Sequence, residues 1–381
     1  MKLLYAFPEP LPLPRARGLQ VAHAVSCLTS AGVVVELAHV PAKGRSPFDP
    51  LGCASAAGVD TIPLSRSWPA PLDRIPPFRS LHSTRFFASR LWREVDRRRP
   101  DILYLRHLKL AALAIEHGNL PPVVYEAHEV FADTAPKGKR DRMAALEQRI
   151  VERSAGIVCN SRATAEHLVD RYGQPRKLLV LPNGVTSQPE PPEKPWAEAR
   201  RHVVYAGSFF GWKGVDDIIL AARELPGFKI TLIGGEAAQV ERLRGMLGPQ
   251  GAEIEFLPRL PQNEVARHLA HACIAVLPNR PEPDSAFTSP IKLFEYMAAG
   301  CAIVASDLPS LREILEEEDA AWFAAGNPEA LAAAVRTLAE HPELAHAMGK
   351  RLRAKSAAYT WTARAERLKS FLSELLASEN R

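Results

Sequence analysis

Short apolar runs of the length of a buried strand recur along the chain. Each is followed by a longer segment whose apolar residues repeat at helical spacing. In the first half the runs are residues 3–7, 33–40, 102–105, 123–125, 157–159 and 178–181, with a shorter one at Thr61 and Ile62. In the second half they are residues 202–207, 229–234, 253–257, 274–277 and 302–305. Such strand–helix alternation predicts α/β architecture built on parallel sheets. Residues 8–18 read as a loop and 19–30 as the first helix, while 41–77 hold many prolines and no clear period. Between the two sets lies QPEPPEKP at 188–195, four prolines among charged residues, which neither a helix interior nor a central strand accommodates. The pattern therefore predicts an N-terminal α/β domain over 1–187, a proline-rich linker over 188–200, a second α/β domain over 201–360 and a final amphipathic helix in 361–381.

Composition agrees with two soluble domains: 381 residues, 46% hydrophobic and 24% charged. No apolar run approaches the ~20 residues needed to span a bilayer. The run at residues 3–7 gives way at once to prolines, so no secretory leader is expected. The five cysteines (Cys27, Cys53, Cys159, Cys273, Cys301) are scattered without a C-x-x-C pair. A reduced, cytoplasmic protein without a cysteine-based zinc site is the simplest reading.

Charge is uneven. Residues 1–190 carry 26 Lys and Arg against 18 Asp and Glu, and the remainder 22 against 25. The basic excess is dense at Arg85, Arg90, Arg93, Arg97, Arg98 and Arg99, interleaved with Phe86, Phe87, Leu91, Trp92 and Val95 near helical spacing. Two readings stay open for that helix: a core-packing element with solvated arginines, or contact with an anionic membrane surface. No recognised nucleic-acid motif accompanies the basic patch.

The segment SPIKLFEYMAAG at 289–300 carries the most specific chemistry. Ser289 suits an N-cap, Pro290 a first helical position, and Gly300 a left-handed residue ending the helix. A loop over 278–288 thus delivers a helix start to the carboxyl edge of the sheet, where free N–H groups favour an anion and Lys292 adds a full charge. Glu295, one turn deeper, lies too far in for a capping box and can accept two hydrogen bonds from a ribose diol. Diphosphate and ribose together mark a nucleotide-sugar site, although a well-capped helix with solvated Lys292 and Glu295 is the plainer alternative. A second element, GSFFGWKG at 207–214, puts a glycine-flanked loop between a strand and a helix, with Lys213 able to reach a phosphate. A third, Glu126-Ala127-His128-Glu129, follows the strand at 123–125. A lone histidine there is as a rule structural.

SPIKLFEYMAAG followed by CAIVASDLPSLREIL closely resembles the donor-site segment of the family-4 glycosyltransferases, retaining enzymes of the GT-B fold. The resemblance implies two Rossmann-like doubly wound domains facing a central cleft, hinged at QPEPPEKP, with the last helix crossing back to the N-terminal domain. It implies that Thr288, Ser289, Pro290 and Ile291 line the donor site beside Lys292. Glu295 matches the second glutamate of an E-x7-E pair, which holds the ribose. The first falls at Phe287, a departure that makes Asp284 and Glu282 candidates to replace it. Gly207 and Lys213 match the phosphate loop, with Ser208 where the family usually has arginine. His128, followed by the acid Glu129, matches a cleft histidine that points at the donor sugar. Gly18 falls in the loop expected to meet sugar or acceptor, and Arg259 and Leu260 where backbone groups hold the base. Cys159-Asn160-Ser161 and Leu181-Pro182-Asn183-Gly184-Val185 resemble the end of the family's N-terminal domain.

The function so implied is retaining transfer of a hexosyl group from a UDP- or GDP-sugar to an acceptor in bacterial glycan or glycolipid synthesis. The acceptor is a glycan, a lipid-linked sugar or a small molecule. His128, Lys213, Lys292 and Glu295 carry the reaction, with no cofactor beyond the donor substrate. No D-x-D metal clamp occurs in the chain, so metal independence is expected. A cytoplasmic location follows, and peripheral contact at the inner face of the membrane stays open as one of the two readings of the arginine-rich helix. Two other classes stay open: an epimerase of UDP-N-acetylhexosamines, which shares the fold, and a non-catalytic partner subunit, suggested by Phe287 and Ser208.

Overall fold

The computed structural model describes residues 1–13, 16–51, 56–66, 83–186, 194, 196–248, 251–282, 285, 287 and 289–379. Lys194 apart, the QPEPPEKP segment lies outside these, as do the candidate residues Asp284 and Thr288. The chain forms two compact units, Met1–Pro182 with Trp361–Arg381, and Asn183–Thr360.

The first unit is a seven-stranded sheet of β1 (Lys2–Leu11), β2 (Val34–Pro41), β3 (Asp60–Pro63), β4 (Ile102–Leu105), β5 (Val123–Ala127), β6 (Gly156–Cys159) and β7 (Leu178–Val180). Its spatial order is β3-β2-β1-β4-β5-β6-β7, and every pairing is parallel. Helices α1 (Ala16–Ser30), α2 (Ser83–Arg98), α3 (Leu108–His117), α4 (Arg140–Arg153) and α5 (Arg162–Tyr172) connect the strands. Strands β4, β5 and β6 are buried along their whole length, because helices on both faces leave a parallel sheet no wet side.

The second unit repeats the plan with β8 (His202–Ala206), β9 (Lys229–Ile233), β10 (Glu253–Leu257), β11 (Ile274–Leu277), β12 (Ala302–Ser306) and β13 (Ala321–Phe323) in the order β10-β9-β8-β11-β12-β13. Its larger helices are α6 (Val215–Ala222), α7 (Ala237–Arg244), α8 (Gln262–His271), α9 (Ile291–Ala298), α10 (Pro328–Glu340) and α11 (Pro342–Ser356). The last helix, α12 (Trp361–Glu379), buries Ala365, Leu368, Phe371, Leu372 and Leu375 in the core of the first unit. Both sheets reverse strand order once, between β1 and β4 and between β8 and β11. In open α/β sheets ligands bind outside the carboxyl ends of the strands at that reversal.

Three local features differ from the sequence pattern. Strand β1 continues to Leu11 rather than ending at residue 7, because pairing with β2 resumes after a register shift between Phe7 and Pro10. The following helix accordingly starts at Ala16 and not at residue 19. Strand β13 is three residues long behind the acidic turn at Glu317–Asp319, too short to register as an apolar run. The arginine-rich helix is α2, whose Phe87, Ala88, Leu91 and Val95 are core residues. Its cation cluster is smaller than the six residues of the sequence pattern. Arg98 bonds Glu94, Glu36 and Asp60, and Arg97 bonds Glu94, so local carboxylates neutralise that end of the helix.

The turn after β8 depends on one glycine. Gly214 sits at φ +69°, and a Cβ there would fall 1.8 Å from the Pro278 carbonyl oxygen. Gly214→Ala would combine left-handed strain with a backbone clash that no rotamer relieves, costing about 2 kcal/mol or more. The midpoint of urea unfolding should fall accordingly, and an unchanged midpoint would show that the two loops separate freely.

Candidate active site

Helix α9 forms because Leu293, Phe294, Tyr296 and Met297 fall on one face and are buried. It ends as the sequence predicts: Gly300 takes φ +65°, its N–H donates to Met297 O, and the N–H of Cys301 donates to Tyr296 O. Its start differs. Ser289 is not the N-cap; Pro290 holds that place, without a side-chain cap bond. The Ser289 hydroxyl instead accepts from the Asn183 N–H at 3.0 Å, while the Asn183 side-chain amide donates to the Ser289 carbonyl at 2.6 Å. Both residues are buried, so Asn183 fixes the entry to the helix. At the other side the N–H of Ala206, the last residue of β8, donates to the Tyr296 hydroxyl at 2.8 Å. Helix α9 is thereby clamped at the point where the sheet reverses.

Lys292 is not the exposed contact that its place in the first helical turn suggests. It is 7% exposed, and its Nζ has no hydrogen-bond partner among the described residues. The ammonium lies 4.0 Å from the centre of the Tyr205 ring. A cation over an aromatic face gains roughly 0.5–2 kcal/mol, far less than the cost of removing it from water. Burial therefore pushes Lys292 well below the ordinary lysine range, the nearby charge of Lys213 pushes the same way, and Glu295 opposes both. Glu295 is half-buried; its Oε1 accepts from the Gln262 amide at 3.1 Å, and burial raises its pKa.

Lys213 lies in the single 3₁₀ turn Gly211–Lys213, with Nζ 3.6 Å from the centre of the Trp212 ring. That turn is braced from β11: Arg280 donates its N–H to Trp212 O and its guanidinium to both oxygens of Asp217 at 3.0 and 2.6 Å. Ser208 accepts at its carbonyl from the Tyr205 hydroxyl at 2.8 Å, and the N–H of Gly207 is taken by Ile233 O. The second unit thus gathers Gly207, Ser208 and Lys213 after β8, Arg259 and Leu260 after β10, and Ser289, Pro290, Ile291, Lys292 and Glu295 on α9, all at the carboxyl edge of one sheet. Phe287 is buried, so the place of the first acid is filled by an apolar side chain.

In the first unit His128 follows β5, its carbonyl held by the Asn160 amide at 3.2 Å. Its Nε2 lies 3.3 Å from Glu126 Oε1, and burial followed by the charge of Arg106 lowers its pKa to about 4. Glu129 accepts from the Thr134 hydroxyl at 2.6 Å, which ties it into its own turn. Gly18 lies within α1, where a Cβ would fall 2.3 Å from Leu13 O; its close approach is to its own loop.

The family described as "Glycosyltransferase Family 4" matches residues 19–188, and that described as "Glycosyl transferases group 1" matches residues 200–341. The chain belongs to the family-4, group 1 glycosyltransferases. A "D-inositol 3-phosphate glycosyltransferase" of Kineococcus radiotolerans is 25% identical to this family-4 chain over 253 residues, which is 58% of the chain and 57% of that relative. The chain thus spans little more than half the length of that curated relative. Among solved structures, the sucrose-phosphate synthase of Thermosynechococcus elongatus superposes with a TM-score of 0.78 at 18% identity, over 99% of this chain and 100% of its own. Anabaena HepE in complex with UDP-glucose gives 0.73 at 15% identity, over 98% and 100%. The family-4 chain therefore has the GT-B fold, with the two parallel-sheet α/β domains described above.

Several residues that build the site were not singled out from the sequence pattern of this family-4 chain. Tyr205 reads as one more apolar strand residue, and Gln262 as the start of an ordinary helix. Asn183 was visible only as part of Leu181-Pro182-Asn183-Gly184-Val185. Replacing it by alanine removes the donor to the Ser289 carbonyl and leaves that buried oxygen unpaired, a loss of roughly 1–3 kcal/mol. Asn183→Ala should lower the urea midpoint by a corresponding amount, whereas a wild-type midpoint would mean that the helix start holds itself.

Proposed function

We propose that the chain is a retaining, nucleotide-sugar-dependent glycosyltransferase whose second unit holds the donor. The observation that carries this reading is the buried Lys292 amine, without a hydrogen-bond partner among the described residues, at a helix start on the carboxyl edge of the sheet where strand order reverses. A diphosphate supplies what that environment lacks, a compact anion able to accept from an ammonium and from helix-start N–H groups. Lys213, in the braced turn after β8, is the second cation on the same anion. Glu295, oriented by Gln262, accepts from the ribose hydroxyls, and Arg259 and Leu260 flank the base. UDP is the nucleotide favoured, in keeping with the UDP-glucose complex of HepE.

During transfer the bond between the anomeric carbon and the phosphate oxygen breaks and its electron pair stays on the diphosphate. Lys292, Lys213 and the α9 start face that growing charge before it forms, so little reorganisation is required. The acceptor hydroxyl forms the new bond on the face that the diphosphate leaves and gives its proton to the departing oxygen, which retains configuration. His128 is assigned to the transferred sugar. The acceptor is a hydroxyl compound of glycan, lipid-linked or small-molecule kind. The exposed Arg85, Arg93 and Arg99 around α2 support peripheral contact with an anionic membrane.

Titration calorimetry with UDP and with pyrophosphate separates the roles. Lys292→Met and Lys213→Ala should each weaken both ligands about ten-fold or more, the value of a charge-assisted hydrogen bond. Glu295→Gln should weaken UDP and leave pyrophosphate unchanged. Parent-like UDP affinity in both lysine variants, or equal losses of the two ligands in Glu295→Gln, would remove the proposed donor site.

A further inference from the structure

The carboxyl edge of the first unit's sheet carries basic side chains that the donor site does not use. Register sets the strand ends side by side: Pro63 of β3 pairs with His39 of β2, His39 with Phe7 of β1, and Ala6 of β1 with Leu105 of β4. The chain leaves β4 as Arg106-His107-Leu108-Lys109 and β3 as Leu64-Ser65-Arg66. Arg17 is in the first turn of α1, which follows β1. Arg17, Arg66, Arg106 and Lys109 thus come from the segments that leave β1, β3 and β4, around the reversal of strand order between β1 and β4. Helices α1 and α3 begin at the same edge, and each helix start adds partial positive charge there.

Only part of that charge is answered. Arg106 donates to the Arg17 carbonyl at 3.1 Å and to the Gln20 side chain at 2.9 Å, both uncharged acceptors, and so joins the start of α3 to that of α1. Arg17 pairs with Glu9 at 2.8 Å. Glu126, near the end of β5, has its own partner in the buried guanidinium of Arg364. Arg66 is half-buried, and its Nε is enclosed without a hydrogen-bond partner among the described residues. Lys109 is exposed and makes no hydrogen bond or ion pair among them. His107 registers the resulting field. Its Nδ1 accepts from the Leu110 N–H at 3.3 Å, and burial, followed by the charges of Arg66, Lys109 and Arg17, pushes its pKa down to about 4.

We propose that this edge of the first unit binds a phosphate carried by the acceptor, so that the compound glycosylated is a phosphate-bearing alcohol and not a neutral sugar. This rests on the reading that the second unit holds the donor, which leaves the acceptor to the first. A phosphate presents several acceptor oxygens around one compact charge and suits donors arriving from separate segments of chain. Arg66 offers it a planar fork and Lys109 a point charge, while Arg17 adds a charge shared with Glu9. Arg106 is a positioning residue, because its bonds hold the two helix starts together. The phosphate anchors the acceptor and is unchanged by transfer; the attacking hydroxyl lies elsewhere on the same molecule. The same group occurs on a soluble sugar phosphate and on the diphosphate of a lipid-linked sugar.

Thermal-shift titration of the full chain with inorganic phosphate tests this without turnover, since a ligand of the native state raises apparent stability by mass action. The titration is made in the Lys292→Met background, which removes the anion contact of the second unit. Phosphate should still bind there. Adding Arg66→Gln or Lys109→Gln should raise the half-saturating phosphate concentration about ten-fold each, the value of a charge-assisted hydrogen bond. In the parent background the same two substitutions should leave UDP affinity unchanged. Glucose 6-phosphate or geranyl diphosphate should bind at lower concentration than glucose or geraniol. Preference for glucose 6-phosphate marks a soluble sugar phosphate as the acceptor, preference for geranyl diphosphate a lipid-linked one, and either result upholds the site. No phosphate binding in the Lys292→Met background, half-saturation unmoved by Arg66→Gln and Lys109→Gln, or glucose bound as well as glucose 6-phosphate would overturn the proposal. A parent that fails to bind UDP would overturn the donor reading instead, and the phosphate titration separates the two failures.

Discussion

A lysine amine removed from water and set against an aromatic face is the constraint around which the second unit is organised. Lys292 sits 4.0 Å from the Tyr205 ring and has no hydrogen-bond acceptor among the described residues. Uncompensated, such a group costs several kcal/mol, and the chain shows how that cost is sustained. Tyr296 pins α9 to β8, Asn183 pins its entry through Ser289, and Arg280 with Asp217 pins the turn that carries Lys213. Lys213 lies near enough for its charge to bear on Lys292. Strain concentrated at a reversal of strand order, with rigid support behind it, is expected of a preorganised site.

Much of this plan was legible in the chain. Strands at residues 274–277 and 102–105 follow from apolar runs alone, because both faces of a parallel sheet are buried. Gly300 announced its left-handed turn, since few other residues adopt it without strain. Caps and bulges were harder to read. Ser289 is a good N-cap by type, yet a buried asparagine 106 residues away claims its hydroxyl, and tertiary contact overrides local preference. The extension of β1 past Phe7 hides behind two prolines because its pairing resumes two residues out of register.

Burial was the property least visible. A lysine in a first helical turn reads as solvated, and only the packing of α9 on β8 shows that Lys292 is enclosed. The pairing of Glu126 with Arg364 is likewise out of reach of spacing arguments, since the partners come from β5 and the last helix. The two units treat buried charge differently. In the first, a buried carboxylate is paired with a buried guanidinium. In the second, the Lys292 amine is buried against an aromatic ring with no hydrogen-bond partner among the described residues.

Proton uptake on nucleotide binding tests the central claim most directly. With the site empty, burial favours neutral Lys292; with a diphosphate beside it, the ammonium is favoured, so binding draws a proton from solvent. Calorimetry of UDP binding at pH 8 in two buffers of different ionisation enthalpy reads that number, at a pH where the terminal phosphate (pKa near 6) is already ionised. The parent should show net proton uptake on binding UDP, and Lys292→Met should show less. Equal uptake in parent and Lys292→Met, or none in the parent, would contradict the assignment of Lys292 as the buried cation that a diphosphate completes.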